Sequence, residues 1–344
     1  MQSTFRTAIQ FAGFMLATSP AHALLITPNF DSSITGNANA LLIENSINSA
    51  IGTLNSLYSN PTTISVNFSY KAASAGNLLS TTQYYYDVSY GSYVNALRNI
   101  ANNNPRNTVL ATALGNLGQG NDANGSRDIA VASGLYGMLG LGTPATPAPS
   151  ININSSQPFS FGQSTGNTQY DLIGGLEHEL DEVLGGGGAG STLNGVYYGN
   201  AFFASKFGPL DLYRYQAPGT PSFTTSSGAS SYYSIDGGRT SIVAFNQSPN
   251  GDFGDFGQNC FATGSNQLIQ DAFACKGPME LYTASSPEYT MLESIGWNPF
   301  ASSVSPVPLP SSDLLFAPGL AVLAISLKRS GRRSTTSASS ARTA

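Results

Sequence analysis

Charged side chains are scarce in this chain of 344 residues: Asp, Glu, Lys and Arg together make up 10% of it. Gly, Ser, Asn and Thr fill most polar positions instead, a composition unusual for a cytosolic enzyme and common in secreted bacterial surface proteins. Positive charge is scarcer still. Residues 24–306 hold 18 acidic and 8 basic side chains, a net charge of about −10. With no basic stripe, a nucleic-acid partner is disfavoured, and acidic side chains are free for cations. Histidine occurs twice, at 22 and 178. Apolar and aromatic residues are plentiful. With 41% hydrophobic content, 17 Tyr and 18 Phe, the chain has material for one large domain or two modest lobes, which argues against disorder.

The two ends read as export signals. Arg6, an apolar stretch at 7–18 and the small-x-small triplet Ala21-His22-Ala23 make residues 1–23 a signal peptide, with the mature chain starting at Leu24. The stretch is too short to span a membrane. At the other end a Pro/Ser linker covers 301–312. An apolar run at 314–327 follows, ending in Lys328, Arg329, Arg332 and Arg333, so that 313–333 reads as a membrane helix with its basic end in the cytoplasm, and 334–344 as a polar tail. Only two cysteines occur, Cys260 and Cys275, both in the exported part. Compartment and even number point to a disulfide. It would close a loop of 15 residues, worth about 3 kcal/mol in the chain-entropy model. Two free thiols are the alternative.

Between the ends, helical spacing marks 38–57, with Leu41, Ile47, Ile51 and Leu54 on one side, and a second helix at about 89–102. Period-two alternation marks a strand at 63–70. An apolar segment spans 128–141, and short strands at 150–154 and 158–161 lead to a central helix at about 169–185. On that helix Leu172, Ile173, Leu176, Leu180, Val183 and Leu184 form one stripe. The run Gly185-Gly186-Gly187-Gly188 stops it. Further on the chain reads as β-rich, with a hairpin over 231–245 turning at Asp236-Gly237-Gly238 and a last short helix at about 287–295. The expected fold is α+β: a lobe over 24–190 with a mixed sheet and the central helix, and a smaller β-rich lobe over 191–300 that completes a cleft.

The central helix holds the one histidine left after signal cleavage. His178 and Glu182 are four apart, so they sit side by side on one face opposite the apolar stripe. Imidazole and carboxylate are both zinc ligands, and Glu179 between them is placed to take a proton from a water at the ion. A further ligand must come from elsewhere, and Asp211, in Leu210-Asp211-Leu212, is the choice. A buried partner for Arg214 or a helix N-cap is the alternative for that residue. Tyr213 or Tyr215 could donate to an oxyanion or fill the core. The bland reading of the helix itself takes the acids at 177, 179, 181 and 182 as a solvated face with an incidental histidine. Asp236, Asp252 and Asp255, in acidic Gly-rich loops, offer oxygens for a calcium ion. Plain turn formation is their other reading.

The segment from Gly175 to Gly185, GLEHELDEVLG, resembles the active-site helix of zincin metallopeptidases. It is most similar to a group of secreted bacterial zincins with an E-H-E-x-x-E-V-x-G helix. The later segments Asp211-Leu212-Tyr213-Arg214-Tyr215, Tyr233-Ser234-Ile235-Asp236-Gly237-Gly238, Gly251-Asp252-Phe253-Gly254-Asp255-Phe256 and Leu292-Glu293-Ser294-Ile295-Gly296-Trp297 carry the same resemblance. One histidine with two carboxylates is a harder ligand set than zinc usually takes. The end of the chain resembles a PEP-CTERM sorting tail, with the motif Val307-Pro308-Leu309-Pro310 holding Leu309 where that family has Glu. These resemblances imply a zinc peptidase acting on a peptide or protein. They also imply anchoring in the inner membrane through the tail, removal of that tail by an exosortase-like enzyme, and a final place on the surface or outside of a Gram-negative bacterium. Two other readings stay open: an inactive zincin-like binding domain, and a structural surface protein stabilised by calcium.

Overall fold

The computed structural model describes residues 23–74, 76–117, 127–144, 147–162, 168–257 and 267–300. The signal peptide before Ala23, Cys260, and the linker, sorting motif, apolar run and basic cluster after Phe300 lie outside the described residues. The described residues cluster as one compact unit.

The fold is α+β with mixed sheets. Strand β1 (Leu25–Phe30) runs into a short helix α1 (Ser32–Thr35) and the long helix α2 (Ala40–Leu57), then returns as β2 (Thr63–Lys71), parallel to β1 in the register Leu25↔Thr63 to Phe30↔Phe68. Strand β2 alternates as expected: Ile64, Val66 and Phe68 are buried. β6 (Ser150–Asn154) pairs parallel with β2, and β3 (Leu79–Thr82) closes the sheet antiparallel to β6, giving the order β1-β2-β6-β3. Strand β3 is therefore an edge strand.

Helix α2 buries Ile43, Ile47, Ala50, Ile51 and Leu54. Leu41, expected on that side, is 69% exposed. It precedes Ile43 by two residues, which places it about 200° around the helix from the buried stripe. A second sheet has the order β4-β5-β9, from β4 (Tyr85–Val88), β5 (Asp128–Ala132) and β9 (Lys206–Phe207). Helices α3 (Tyr90–Asn103) and α4 (Thr108–Asn116) lie between β4 and β5 in sequence. The apolar segment at 128–141 divides into β5 and a helix, α5 (Ser133–Met138).

The pair β7 (Phe159–Ser160) and β8 (Tyr170–Asp171) leads into α6 (Leu172–Val183), the central helix. Asp171 caps it, accepting from the amides of Ile173 and Gly174 at 3.0 and 3.2 Å. Helix α6 packs against α2 and against the edge strand β3. At its end the amides of Gly185 and Gly186 donate to the carbonyls of Glu182 and Asp181. After α7 (Leu193–Tyr197) come the four antiparallel strands of the sheet β11-β10-β12-β13: β10 (Arg214–Ala217), β11 (Thr220–Pro221), β12 (Tyr232–Tyr233) and β13 (Val243–Ala244). The expected hairpin is β12 and β13. The last helix, α8 (Pro287–Ser294), is followed by Trp297, which is fully buried and donates from Nε1 to the carbonyl of Leu184 at 2.9 Å. That bond ties the end of the described chain to the end of α6. Among the described residues no helix is long and apolar enough to cross a membrane.

Candidate metal centre

Helix α6 is covered on nearly every side. Leu172, Leu176, Leu180 and Val183 are buried as the stripe predicts, and Glu177, Glu179, Asp181 and Glu182 are buried as well. The solvated-face reading of those acids therefore does not hold. Apart from the cleft described below, the face opposite the apolar stripe is covered by Gly188, by Asp252 and Asp255, and by Ile269 and Gln270.

On that face His178, Glu182 and Asp255 each offer a ligand atom, all within 4.8 Å of one another. His178 Nδ1 lies 2.9 Å from the carbonyl of Ile269. A carbonyl only accepts, so Nδ1 carries the hydrogen, and Nε2 faces the carboxylates with a free lone pair whenever the imidazole is neutral. A backbone partner that sets the tautomer in this way is a common support for a metal-binding histidine. Nε2 stands 3.6 Å from Asp255 Oδ2. The Asp255 carboxylate is fixed in turn by Gln270 Nε2, which donates to Oδ1 at 2.9 Å, and by the amide of Gly188.

The glycine run does more than stop the helix. Gly187 has φ +49°, and a Cβ there would lie 2.1 Å from Gln270 Nε2 and 3.0 Å from Asp255 Oδ1. At Gly188 a Cβ would lie 2.6 Å from Glu182 Oε1 and 2.8 Å from Asp252 Cγ. The loop thus folds back over the cluster so closely that side chains are excluded.

Glu179 faces the same space from the next helix position. It is buried, and its Oε2 accepts from Thr81 Oγ1 of β3 at 2.6 Å. Burial pushes its carboxyl up to about 7; the neighbouring His178 and the Thr81 hydroxyl pull it back, and Asp255 and Asp252 push it further up. Burial raises Glu182 well above the usual carboxylate range too, and the charges next acting on it are all negative: Glu179, Asp252, Asp255 and Asp181. Asp255 is raised by burial and then by Asp252, and Asp252 by burial. Asp252 Oδ1 accepts from Asn194 Nδ2, whose own Oδ1 accepts from the amide of Phe253 at 2.6 Å.

A cleft of about 590 Å³ opens beside this cluster; His178, Glu179, Asp252 and Asp255 line it, as do Leu78 and Leu79 where β3 begins. Among the described residues no lysine or arginine lines it. Four carboxylates, Glu179, Glu182 and Asp255 buried and Asp252 half-buried, with no cationic side chain among them and one imidazole beside them, have the donor set of a divalent-cation site. A 2+ charge there would offset the repulsion and restore ionisation. The residues present fit a metal ion.

The structure places the other expected site residues elsewhere. Asp211, expected as a ligand, is fully buried away from the cluster. It accepts from Ser191 Oγ at 2.6 Å, the Thr192 amide at 2.9 Å, Thr192 Oγ1 at 3.0 Å and the Gly208 amide at 2.7 Å. Those four bonds use its acceptor capacity to pin the chain after the glycine run. Arg214 is fully buried as well, donating to the carbonyls of Phe253 and Asn246, so it holds the loop that brings Asp252 and Asp255 in. Tyr213 gives its hydroxyl to the carbonyl of Ser294 at 3.1 Å, and Tyr215 is buried beside Gly238. Neither lines the cleft, so the core reading of both tyrosines holds over the oxyanion one.

Of the aspartates considered for calcium, Asp236 serves its own turn, accepting from Ser234 Oγ and from the amide and hydroxyl of Thr240. Asp255 instead joins the histidine cluster and Asp252 lines the cleft beside it, which divides the expected calcium set. Cys275 is not a free thiol; Cys260, the other half of the expected bridge, lies outside the described residues. Thr81, Asn194 and Gln270 had no signal in the sequence that singled them out. Asp255 had one, as the second acid of the Gly251–Phe256 segment.

The chain matches no protein family, no curated protein and no solved structure.

Proposed function

We infer that this protein is an exported metal-dependent peptidase whose ion is held by His178, Glu182 and Asp255, with Glu179 as general base. The observation that carries the reading is the convergence of His178 and the two buried carboxylates of Glu182 and Asp255 within 4.8 Å, beside a cleft that His178 and Asp255 line. Zinc is the ion proposed; the oxygen-rich donor set also suits harder divalent ions. When bound, the ion supplies Lewis acidity toward a carbonyl oxygen and acidifies a water.

The side chains account for the rest. Glu179 sits beside the ligands without belonging to the three that converge. Its carboxyl, pushed up to about 7 by burial, is matched to accepting a proton from water near neutral pH and returning it to a leaving amine. Thr81 aims it through the bond to Oε2. The peptide class is supported by β3. It is the open edge of its sheet, its beginning lines the cleft, and an extended chain can pair with such an edge through main-chain hydrogen bonds. Zincin likeness, export and a removable membrane tail belong to the same proposal and rest on the sequence segments described above.

The test compares Glu179→Gln with wild type on a broad peptide library, with metal content measured in both. The expected result is retained metal and activity lower by a factor on the order of 100 or more. Equal activity in the two, or none in fully metallated wild type, moves the protein to a zincin-like binding domain. Calcium as the sole bound ion moves it to the structural reading.

A further inference from the structure

Gln270 stands inside the cluster. Its side chain is fully buried. Its main chain is held on both sides, the amide donating to Glu288 Oε1 at 2.9 Å and the carbonyl accepting from the amide of Phe256 at 2.8 Å. The amide nitrogen Nε2 donates to Asp255 Oδ1 at 2.9 Å and lies 3.2 Å from His178 Nε2. Both of those atoms belong to residues of the candidate ligand set. The amide oxygen Oε1, by contrast, is buried and has no hydrogen-bond partner. Native interiors rarely leave such an atom unpaired, and an unpaired one calls for a reason.

Two orientations of a terminal amide differ by a half-turn about one soft, nearly two-fold torsion that exchanges oxygen and nitrogen in place. Facing two acceptors, the NH2 end must point inward. Facing a cation held by those same acceptors, the NH2 end would be repelled and the oxygen end favoured. The room for either comes from Gly187, where any Cβ would strike Nε2.

We propose that Gln270 is a further protein ligand of the metal centre, binding the divalent ion through Oε1. This rests on the metal reading of the preceding subsection and extends it. Charge explains why an amide suits the position. Glu182 and Asp255 already balance a 2+ ion, and Glu179 and Asp252 stand close by, so an amide oxygen adds a hard donor without another negative charge. The bond to Asp255 then has a second role: it holds the ligand carboxylate in place until the ion replaces the amide hydrogens.

The experiment uses the full chain, purified without a histidine tag, as wild type and as Gln270→Ala. Zinc affinity is measured by competition with a chromophoric chelator. Infrared difference spectra of zinc-loaded against chelated protein are recorded with the glutamine side-chain carbonyls labelled with carbon-13. Gln270→Ala is expected to lose zinc affinity by about 10- to 100-fold. In wild type, zinc should shift a labelled carbonyl band to lower wavenumber, and that band should be missing from the variant. Gln270→Leu, which keeps the bulk and removes the oxygen, should give the same result and serves if the alanine variant is misfolded. Unchanged affinity overturns the proposal. So does lost affinity without a shifted band, which would leave Gln270 only as a donor to Asp255. If wild type takes up no stoichiometric zinc, the metal reading itself fails, and that result is distinct from the other two.

Discussion

His178 Nε2 lies 3.6 Å from Asp255 Oδ2, although one side chain comes from the middle of a helix and the other from a glycine-rich loop far along the chain. The contact depends on a series of anchors. Ile269 orients the imidazole, Gln270 and Gly188 hold the aspartate, and Arg214 holds the loop that carries it. The side-chain anchors, Gln270 and Arg214, can be removed separately by substitution.

The ligand set is the first thing to test. His178→Ala and Asp255→Ala should each abolish stoichiometric metal in elemental analysis. Asp211→Ala should keep the metal. It should also lower stability to urea by roughly 3 kcal/mol, because it strips the acceptor from four buried donors. Metal lost from Asp211→Ala with stability unchanged would return that residue to the centre.

Gly188→Ala probes the close approach of the loop. Its Cβ would meet Glu182 Oε1 at 2.6 Å, so one of the two must shift. Zinc affinity should fall by about 10-fold or more, with circular dichroism unchanged. An affinity equal to wild type would show that the loop is free to move aside.

The pH dependence has a definite sign. Burial pushes Glu177, Glu179 and Asp271 up to about 7, so the folded chain holds protons that the unfolded chain has released. Without metal, stability should therefore fall as pH rises from about 4 toward 7, by about 1.4 kcal/mol per pH unit for each such group. Zinc should reverse much of the loss that comes from Glu179 and its neighbours. Thermal melts in chelator and in zinc across this range check it; a chelated protein that gains stability over the same interval contradicts the burial argument.

Thiol titration of denatured, unreduced protein should find about zero free thiols if Cys260 and Cys275 are paired. Reduction should then cost about 3 kcal/mol. Two titratable thiols would reject the bridge.

Deleting residues 306–344 should release the exported protein from the membrane fraction into the soluble one, since the apolar run and its basic cluster are the anchor proposed. A truncated chain that stays with the membrane has some other anchor.

The elements were largely legible in advance because their periodicities are local. The strand at Thr63–Lys71, the helices at Ala40–Leu57, Tyr90–Asn103 and Pro287–Ser294, and the central helix all arise from spacing within about a dozen residues. Spacing also paired His178 with Glu182, because a helix fixes what lies four residues on. Asp211 looked like a ligand since an aspartate between leucines needs a reason to be buried. The reason proved to be four donors from Ser191, Thr192 and Gly208, which no local pattern announces. Asp255 and Gln270 reach the histidine only after the loops close over α6, and the glycine run read as a helix stop is also the surface against which they pack. Local sequence could supply the helix and two of the candidate ligands, His178 and Glu182. The packing that gathers these acids around His178 as a candidate cation site, and the choice of the residues that complete it, came from contacts between distant segments, which only the folded chain brings together.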